Sequence, residues 1–175
     1  MGKLIRKFLI VFIIFIGFSN NSNANVPYFL DFKYILNQSD AGKKAQSFLK
    51  NKLEKGINNL KDKEKKIQQE EKKIISQKKV ITEDEYKKKV SELRKKVALL
   101  QKERTTLLNT VAKQRQKARN ELLKNLNPII KEYMKDKNIR MVIDKKSLLL
   151  ADENLNITND IIALLNKKLK SIKLD

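Results

Sequence analysis

The chain is 175 residues long, 34% of its residues are charged, and its formal net charge at pH 7 is +20. This excess of positive charge predicts an acidic partner, which could be a nucleic acid, an anionic lipid or an acidic polypeptide. The chain has no His and no Cys, which excludes imidazole bases, thiol nucleophiles and the usual transition-metal ligands. Because the sequence also lacks a Gly-rich phosphate loop and a nucleophile elbow, we expect no enzymatic activity, no cofactor and no metal site.

The N-terminus has the three parts of a secretory signal peptide. Basic residues precede an apolar stretch of eleven residues over positions 8–18, and Ser22-Asn23-Ala24 then provides small residues for cleavage. A membrane anchor is the competing interpretation, but the stretch is too short for a bilayer core, which needs about 20 apolar residues. We therefore predict a signal peptide over residues 1–24, cleavage after Ala24, and export of the mature chain.

A short strand and a short helix are predicted to open the mature chain. Residues 26–31 are rich in apolar and aromatic side chains, which is typical of a strand. Pro27 restricts that strand to its first residues or to a sheet edge, because Pro cannot donate a ladder hydrogen bond. Residues 32–36 fit a helix that Asn37-Gln38-Ser39-Asp40 would end, with Ser39 or Asp40 as the N-cap of the next helix.

Residues 41–79 have the apolar periodicity of a long helix. Apolar side chains recur every seven positions, at Leu53, Leu60, Ile67, Ile74 and Ile81. The second seam position is polar after Ile57, so this half of the seam is weak. Gly56 lies inside the helix, where a Gly costs roughly 1 kcal/mol relative to Ala, and it is a candidate flexible point.

A second long helix is predicted to begin at Thr82, because Thr82-Glu83-Asp84-Glu85 fits a capping box. Its seam positions alternate by four and three residues: Tyr86, Val90, Leu93, Val97, Leu100, Arg104, Leu107, Val111, Gln114 and Ala118. Two such helices joined near Val80–Thr82 predict an antiparallel coiled-coil hairpin roughly 60 Å long. Two separate helices in a bundle would need further apolar faces, which these helices lack.

The remaining residues predict a small β-containing body. Pro128 should kink or end the second helix, and residues 136–138 should form a turn. Residues 140–144 and 147–150 resemble two strands, and Thr158 is the expected cap of a final helix. Alternation predicts that six apolar residues face the body core or a subunit interface: Tyr28, Leu30, Met141, Ile143, Leu148 and Leu150.

The predicted fold class is therefore α+β, with the helical hairpin inserted between the first strand and the second and third strands. The body would comprise residues 25–40 and 125–175, and the hairpin, called the arm below, residues 41–124. Between positions 43 and 124 the chain has 26 basic and 11 acidic residues, so almost all the net charge of the mature chain lies on the arm. The candidate binding cations near its tip are Lys72, Lys73, Lys78, Lys79, Lys87, Lys88, Lys89, Arg94, Lys95 and Arg104, although each could simply be a solvated side chain, and Arg104 could be a structural interruption of the seam.

The sequence resembles the Skp/OmpH family of periplasmic chaperones over the whole mature chain, and the signal peptide that precedes it agrees as well. The similar segments are Leu30-Asp31-Phe32-Lys33-Tyr34-Ile35-Leu36-Asn37, Ser39-x-x-Gly42-Lys43, Met141-Val142-Ile143-Asp144-Lys145, Leu150-Ala151-Asp152 and Leu155-Asn156-Ile157-Thr158. Departures are Pro27 in the first strand and the Asn-Pro pair at positions 127–128.

The resemblance implies a periplasmic homotrimer in which strands of three subunits form the trimerisation body and three arms enclose a cavity. It also implies binding of unfolded outer-membrane β-barrel proteins without ATP, and for some members binding of lipopolysaccharide.

Two other functions remain open at this stage. An envelope structural or adaptor coiled-coil protein that binds anionic lipid or lipopolysaccharide would have the same charge. A nucleic-acid-binding coiled coil would also explain the charge. Export argues against that second reading, and the arm has no base-stacking aromatic residue apart from Tyr86. We therefore expect no physiological nucleic-acid partner.

Overall fold

A computed structural model describes residues 26–174. The predicted signal peptide and its cleavage site lie outside these residues. Four helices and two strands account for most of the described chain, in the order β1 (Tyr28–Leu30), α1 (Phe32–Gln38), α2 (Asp40–Gln77), α3 (Glu83–Asp136), β2 (Val142–Asp144) and α4 (Thr158–Lys168). Two single turns of 3-10 helix, Lys145–Ser147 and Glu153–Leu155, lie between β2 and α4.

The junction between α1 and α2 is a tight corner that side chains and one Gly make possible. The Asp31 side chain caps α1 by accepting from Tyr34 N, and the buried Ser39 hydroxyl caps α2 by accepting from Gly42 N. A Cβ at Gly42 would overlap the backbone carbonyl of Leu36. Ser39 is therefore the N-cap that the sequence predicted, and Gly42 lets the two helices approach each other.

The two long helices form the predicted antiparallel hairpin. At 1.5 Å per residue, α2 is about 57 Å long and α3 about 81 Å long. The capping box is confirmed, because Thr82 Oγ1 accepts from Glu85 N and Glu85 Oε2 accepts from Thr82 N, both at 3.3 Å. Each side chain accepts a hydrogen bond from the backbone N–H of the other residue, which fixes where the return helix begins.

The seam between the helices is apolar at most of the predicted positions. Leu60, Ile74, Leu100 and Val111 are buried, while Arg104 is exposed. Gly56 is also part of this interface, since a Cβ there would lie 2.5 Å from Leu107 Cδ2. Gly56 is therefore a point of close packing between the helices, and the structure gives no support to the flexible point suggested by the sequence.

The body is built around a two-stranded parallel sheet and parts of all four helices. Tyr28 pairs with Val142 and Leu30 with Asp144, while Phe29 forms a bridge to Asn156 on the other side of β1. The core beneath the sheet contains Leu30, Ile35, Ala41, Leu122, Leu126, Ile129, Ile157, Ile161 and Leu165. Ala41 and Leu122 belong to this core, so the body cluster extends slightly into the residues assigned to the arm.

The predicted third strand, residues 147–150, is wrong for the single chain. The first of these residues, Ser147, ends the 3-10 turn Lys145–Ser147, and none of them makes a strand pairing among residues 26–174. Leu149 and Leu150 are 96% and 90% exposed, respectively. The apolar run resembles a strand locally, but its first residue, Ser147, belongs to the 3-10 turn, and Asn156 rather than this run bridges the second edge of β1.

Two further details of the helices differ from the sequence prediction. Pro128 neither ends nor interrupts the helix, because α3 continues to Asp136; the turn that follows is as predicted, with Asn138 at φ 52. Thr158 is not the cap of α4 but its first residue. Its buried hydroxyl accepts from Asp31 N at 2.8 Å and donates to Asn156 Oδ1 at 2.5 Å, so it ties α4 to the junction of β1 and α1.

Candidate functional site

The interface between the arm helices pairs many of the arm's acidic side chains. Across the arm, Lys63 lies 2.6 Å from Glu103, Lys96 2.6 Å from Glu70, and Arg104 3.7 Å from Glu64. Along the helices, Lys50 pairs with Glu54 and Lys87 with Glu83. Five carboxylates are thus engaged internally, while basic residues outnumber acidic ones by 26 to 11 between positions 43 and 124. The remaining cations face solvent and define a strongly positive surface.

The ten cations predicted from the sequence are all on this surface, and only Lys89 is half-buried. Four of them have partners within the arm. Lys87 and Arg104 form the ion pairs above, Lys89 donates to Gln77 Oε1 at 3.1 Å, and Lys78 Nζ lies 5.7 Å from the Tyr86 ring centroid. The other six form no ion pair within residues 26–174: Lys72, Lys73, Lys79, Lys88, Arg94 and Lys95. The role of these cations in client binding stays a prediction.

The arm also exposes apolar side chains that the seam analysis did not identify. Ile75 and Val80 lie near the tip, and Leu99 and Leu108 lie on the outer surface of α3. All four fall outside the seam positions, which is the signal that could have identified them in the sequence. The surface of the arm is therefore cationic with isolated apolar positions, and both kinds of contact are available to one partner.

At the base of the arm, residues of α1, α2 and α3 line an open groove of about 860 Å³. Its floor is apolar and includes Leu49, Leu53, Val111, Ala118 and Leu122. Basic side chains of Lys43, Lys50, Arg115 and Arg119 also line it, and no Asp or Glu of the described residues does so. The groove could not be predicted from the seam pattern, because it depends on how α1, α2 and α3 are arranged in space.

The predicted body residues fall into three environments. Leu30 is buried, Tyr28, Ile143 and Leu148 are half-buried, and Met141 and Leu150 are exposed. Met141 and Leu150 do not belong to the core of the single chain, so only the subunit-interface alternative of the prediction applies to them. Met141 precedes β2, whose second edge has no strand partner among residues 26–174. Whether these residues form a subunit interface stays a prediction.

Two side chains in the body have shifted pKa values, and both shifts have structural causes. The Tyr133 hydroxyl donates to Asp160 Oδ2 at 2.5 Å, and this hydrogen bond, with partial burial, raises the pKa of Tyr133 to about 12. Hydrogen bonding from Asn156 and the nearby Lys145 ammonium lower the pKa of the Glu153 carboxyl. Tyr133 connects α3 to α4, so the contact stabilises the body rather than forming a reaction site.

The described residues also limit the kinds of site that could be present. No helix between residues 26 and 174 combines the length and apolarity that crossing a membrane requires. Within the same residues, no cluster of three acidic side chains is placed to hold a metal ion. The main features of the described chain are therefore a charged surface, a groove and an open sheet edge.

A small body of helices and two paired strands, with a long, basic helical hairpin between those strands, defines the class of protein. The family model for outer membrane protein (OmpH-like) matches residues 28–165, and the chain belongs to this family. The fold is similar to the crystal structure of an OmpH-like protein from Caulobacter crescentus CB15, a candidate outer membrane chaperone, with a TM-score of 0.80. That likeness has 20% sequence identity and covers 86% of this chain and 90% of the other. No curated protein matches the chain.

Proposed function

We propose that this protein is an ATP-independent periplasmic holdase chaperone. It binds unfolded outer-membrane β-barrel proteins in a cavity between basic arms and prevents their aggregation. The observation that carries the proposal is the concentration of exposed cations on a stiff hairpin, together with membership of the OmpH-like family. No catalytic step, nucleotide or cofactor is part of the proposed activity.

The physical properties of the client match such a surface. A strand of an outer-membrane barrel alternates apolar and polar residues, so the unfolded chain aggregates before the barrel closes. Exposed cations attract its acidic segments over a Debye length of about 8 Å at physiological salt, and the exposed apolar residues of the arm add short-range contacts. Because each contact is weak, the client exchanges and leaves when membrane insertion and folding are more favourable.

The cavity requires more than one copy, and we propose a homotrimer assembled through the body. The open edge of β2, the 57% exposed Met141 and the exposed Leu149 and Leu150 support this assembly. An apolar surface beside an unpaired strand edge is a liability in a monomer, because it recruits other chains. In the oligomer, a neighbouring subunit would cover it.

The test of client holding is the aggregation of an unfolded barrel protein, followed by light scattering. The protein should suppress scattering near stoichiometric ratios, and suppression should weaken as salt rises because the contacts are electrostatic. The triple charge reversal K87E/K88E/K89E should weaken it further. The matched control is K131E/K135E/K137E, which changes the net charge by the same amount. Its three residues are exposed and lie at the body end of α3 or directly after it. Equal suppression by both triple variants would reject a role for the tip cations in client binding. Suppression that does not depend on salt would reject the electrostatic mechanism.

The test of assembly is the molar mass of Met141→Asp and Ile143→Asp variants in solution. Either Asp should shift the protein toward smaller species, since it places a charge in the proposed interface. Leu108→Asp is the control, because Leu108 is exposed to a similar degree, 53%, but lies on the arm. A fully assembled oligomer in both body variants would contradict the proposed interface.

An envelope adaptor that binds anionic lipid or lipopolysaccharide is the second candidate. Ile75 and Val80 near the tip, next to Lys78 and Lys79, favour it because apolar and cationic side chains together suit a lipid surface. The two functions differ in one assay. An adaptor would sediment with anionic vesicles and leave the aggregation of an unfolded barrel protein unchanged, whereas a chaperone suppresses that aggregation without lipid.

A further inference from the structure

The apolar floor of the groove at the base of the arm also packs against another part of the chain, the C-terminal segment. Ala45, Leu49, Val111 and Ala118 line the groove, and the same four residues form a buried cluster with Leu174 of the C-terminal segment. Neither Leu174 nor any other residue of the described segment 169–174 lines the groove. These four residues therefore form a thin apolar layer that contacts the C-terminal segment and also faces the groove.

The C-terminal segment shows what kind of chain packs against this layer. Residues 169–174 have no helix or strand pairing, and their apolar side chains Ile172 and Leu174 alternate with the exposed Ser171 and Lys173. Leu174 is only 3% exposed, and Gln114 Nε2 donates to its backbone carbonyl oxygen. An irregular segment with apolar residues at alternate positions is thus bound here, with one side-chain amide holding its backbone.

The groove and the C-terminal segment lie on opposite sides of the seam between α2 and α3. At 100° per residue, Gln114 and Arg115 flank Val111 and Ala118 from opposite sides of α3. The flank with Gln114 is covered by the C-terminal segment, and the flank with Arg115 and Arg119 is open. Lys43, Arg115 and Arg119 form no ion pair with any residue between 26 and 174. The open flank therefore combines the same apolar floor with unpaired cations.

We propose that this groove binds an extended segment of an unfolded polypeptide in which apolar residues alternate with acidic ones. The inference rests on the proposed holdase function and gives it a specific binding site. Apolar side chains of the segment lie on the floor, and its carboxylates pair with Arg115 and Arg119. The site is distinct from the tip cations and lies next to the body.

The dimensions of the groove fit such a segment. Its α3 wall from Val111 to Leu122 is about 17 Å long at 1.5 Å per residue, which matches about five residues of extended chain at 3.3 Å each. Arg115 and Arg119 are one helical turn apart, about 6 Å along the axis. Carboxylates at alternate positions of a strand are about 6.6 Å apart, so both can form charge-assisted hydrogen bonds with the guanidinium groups.

The polar residues of the groove favour a peptide over a lipid chain. Asn37, Gln46 and Ser47 line it together with the cations, and Gln46 Nε2 already donates to Asn37 Oδ1 at 2.9 Å. Their remaining donor and acceptor capacity suits backbone amides, which a peptide has along its whole length and an acyl chain lacks.

The test uses the full mature protein and a labelled nine-residue peptide in which Glu alternates with Val and Leu. Fluorescence anisotropy gives its affinity for the wild type, for R115E/R119E and for K113E/K117E. Lys113 and Lys117 are exposed residues of α3 that have the same spacing but do not line the groove. We expect at least a tenfold loss of affinity for the groove variant and less than a twofold change for the control.

Circular dichroism establishes that both variants fold, and R115Q/R119Q replaces the groove variant if charge reversal prevents folding. Equal affinity losses in the groove and control variants would overturn the proposal. So would a wild type that binds anionic vesicles through Arg115 and Arg119 but does not bind the peptide. A photocrosslinker at Ser47 should capture an unfolded barrel protein, and capture of a second copy of this chain instead would likewise overturn it.

The two proposals fail in distinguishable ways. If the wild type does not suppress aggregation of the barrel protein, the holdase function fails. If the wild type suppresses aggregation and the peptide shows no preference between groove and control variants, the holdase function survives and the groove site fails.

Discussion

Gly56 and Leu107 allow a direct test of how closely the arm helices pack. In an exposed helix, Gly56→Ala would stabilise the protein by about 1 kcal/mol, because Ala has the higher helix propensity. Here a Cβ would lie 2.5 Å from Leu107 Cδ2 and 2.6 Å from Leu107 Cδ1. Overpacking of this kind typically costs 1–3 kcal/mol, which cancels or exceeds the gain from propensity. We therefore expect Gly56→Ala to leave the free energy of unfolding unchanged or to lower it by up to about 2 kcal/mol.

Truncating the Leu107 side chain should reverse the expected effect of Gly56→Ala on stability. In a Leu107→Ala background the obstructing methyl groups are absent, so Gly56→Ala should stabilise the protein by about 1 kcal/mol. The double-mutant cycle should give a coupling free energy of about 1–3 kcal/mol, measured by urea unfolding at one fixed protomer concentration, since oligomers change stability with concentration.

Asn59→Ala is the control for this cycle. Asn59 is exposed on the same helix, and its replacement should stabilise by about 0.5 kcal/mol in both backgrounds. If Gly56→Ala had the same effect with and without Leu107, the close approach of the two helices would be refuted.

Three further perturbations test other contacts. Gly42→Ala should lower the free energy of unfolding by about 3 kcal/mol or more, as measured by urea unfolding, because its Cβ would overlap the Leu36 carbonyl. Glu103→Gln should cost about 0.2–1 kcal/mol at low salt in the same measurement and almost nothing at 1 M salt, since the pair it breaks is partly exposed. Tyr133→Phe should remove part of the stability loss on alkalinisation between pH 10 and 12, as followed by thermal melting, because the hydrogen bond to Asp160 keeps the folded hydroxyl protonated.

The sign of the Tyr133 effect follows from its raised pKa. The folded hydroxyl ionises near pH 12, and the unfolded one near its ordinary value of 10. The contribution of Tyr133 to stability is therefore complete below pH 10 and disappears as pH rises to 12. Other groups titrate in that range, so the wild type must be compared with Tyr133→Phe. Identical pH profiles would contradict the role of the hydrogen bond.

For Glu103→Gln, a loss of stability that persists at 1 M salt would contradict an electrostatic contribution. For Gly42→Ala, an unchanged free energy of unfolding would contradict the tight corner between α1 and α2.

The arm could be predicted from the sequence because its determinants are local and repeated. The seven-residue spacing from Leu53 to Ile74 and the capping box at Thr82 depend only on neighbours within a few turns of helix. Pro128 does not end the helix, which was one of the two outcomes that the general cost of an internal Pro predicted. Its neighbours Leu126 and Ile129 are buried in the body core, and this burial favours a continuous helix despite the lost hydrogen bond.

The body and the groove depend on contacts between distant residues, which a single sequence does not specify. Thr158 resembles a cap locally, but its hydroxyl accepts from Asp31 N, 127 positions earlier in the chain. The run Ser147–Leu150 has the composition of a strand, yet Asn156 occupies the place beside β1. In the same way, the residue type of Gly56 suggests flexibility, whereas the structure shows that Leu107 of the opposite helix packs closely against it.

The pairing of β1 with β2 has a consequence for how this molecule reaches its native state. Tyr28 and Val142 are neighbours in the sheet although the whole hairpin separates them along the chain. A disordered connection of that length would make the encounter entropically costly and slow, whereas a folded hairpin returns the chain to its starting point. We therefore expect the arm to form before the sheet closes. Deleting matched turns from both helices should consequently leave closure intact, whereas an unmatched deletion in one helix should prevent it.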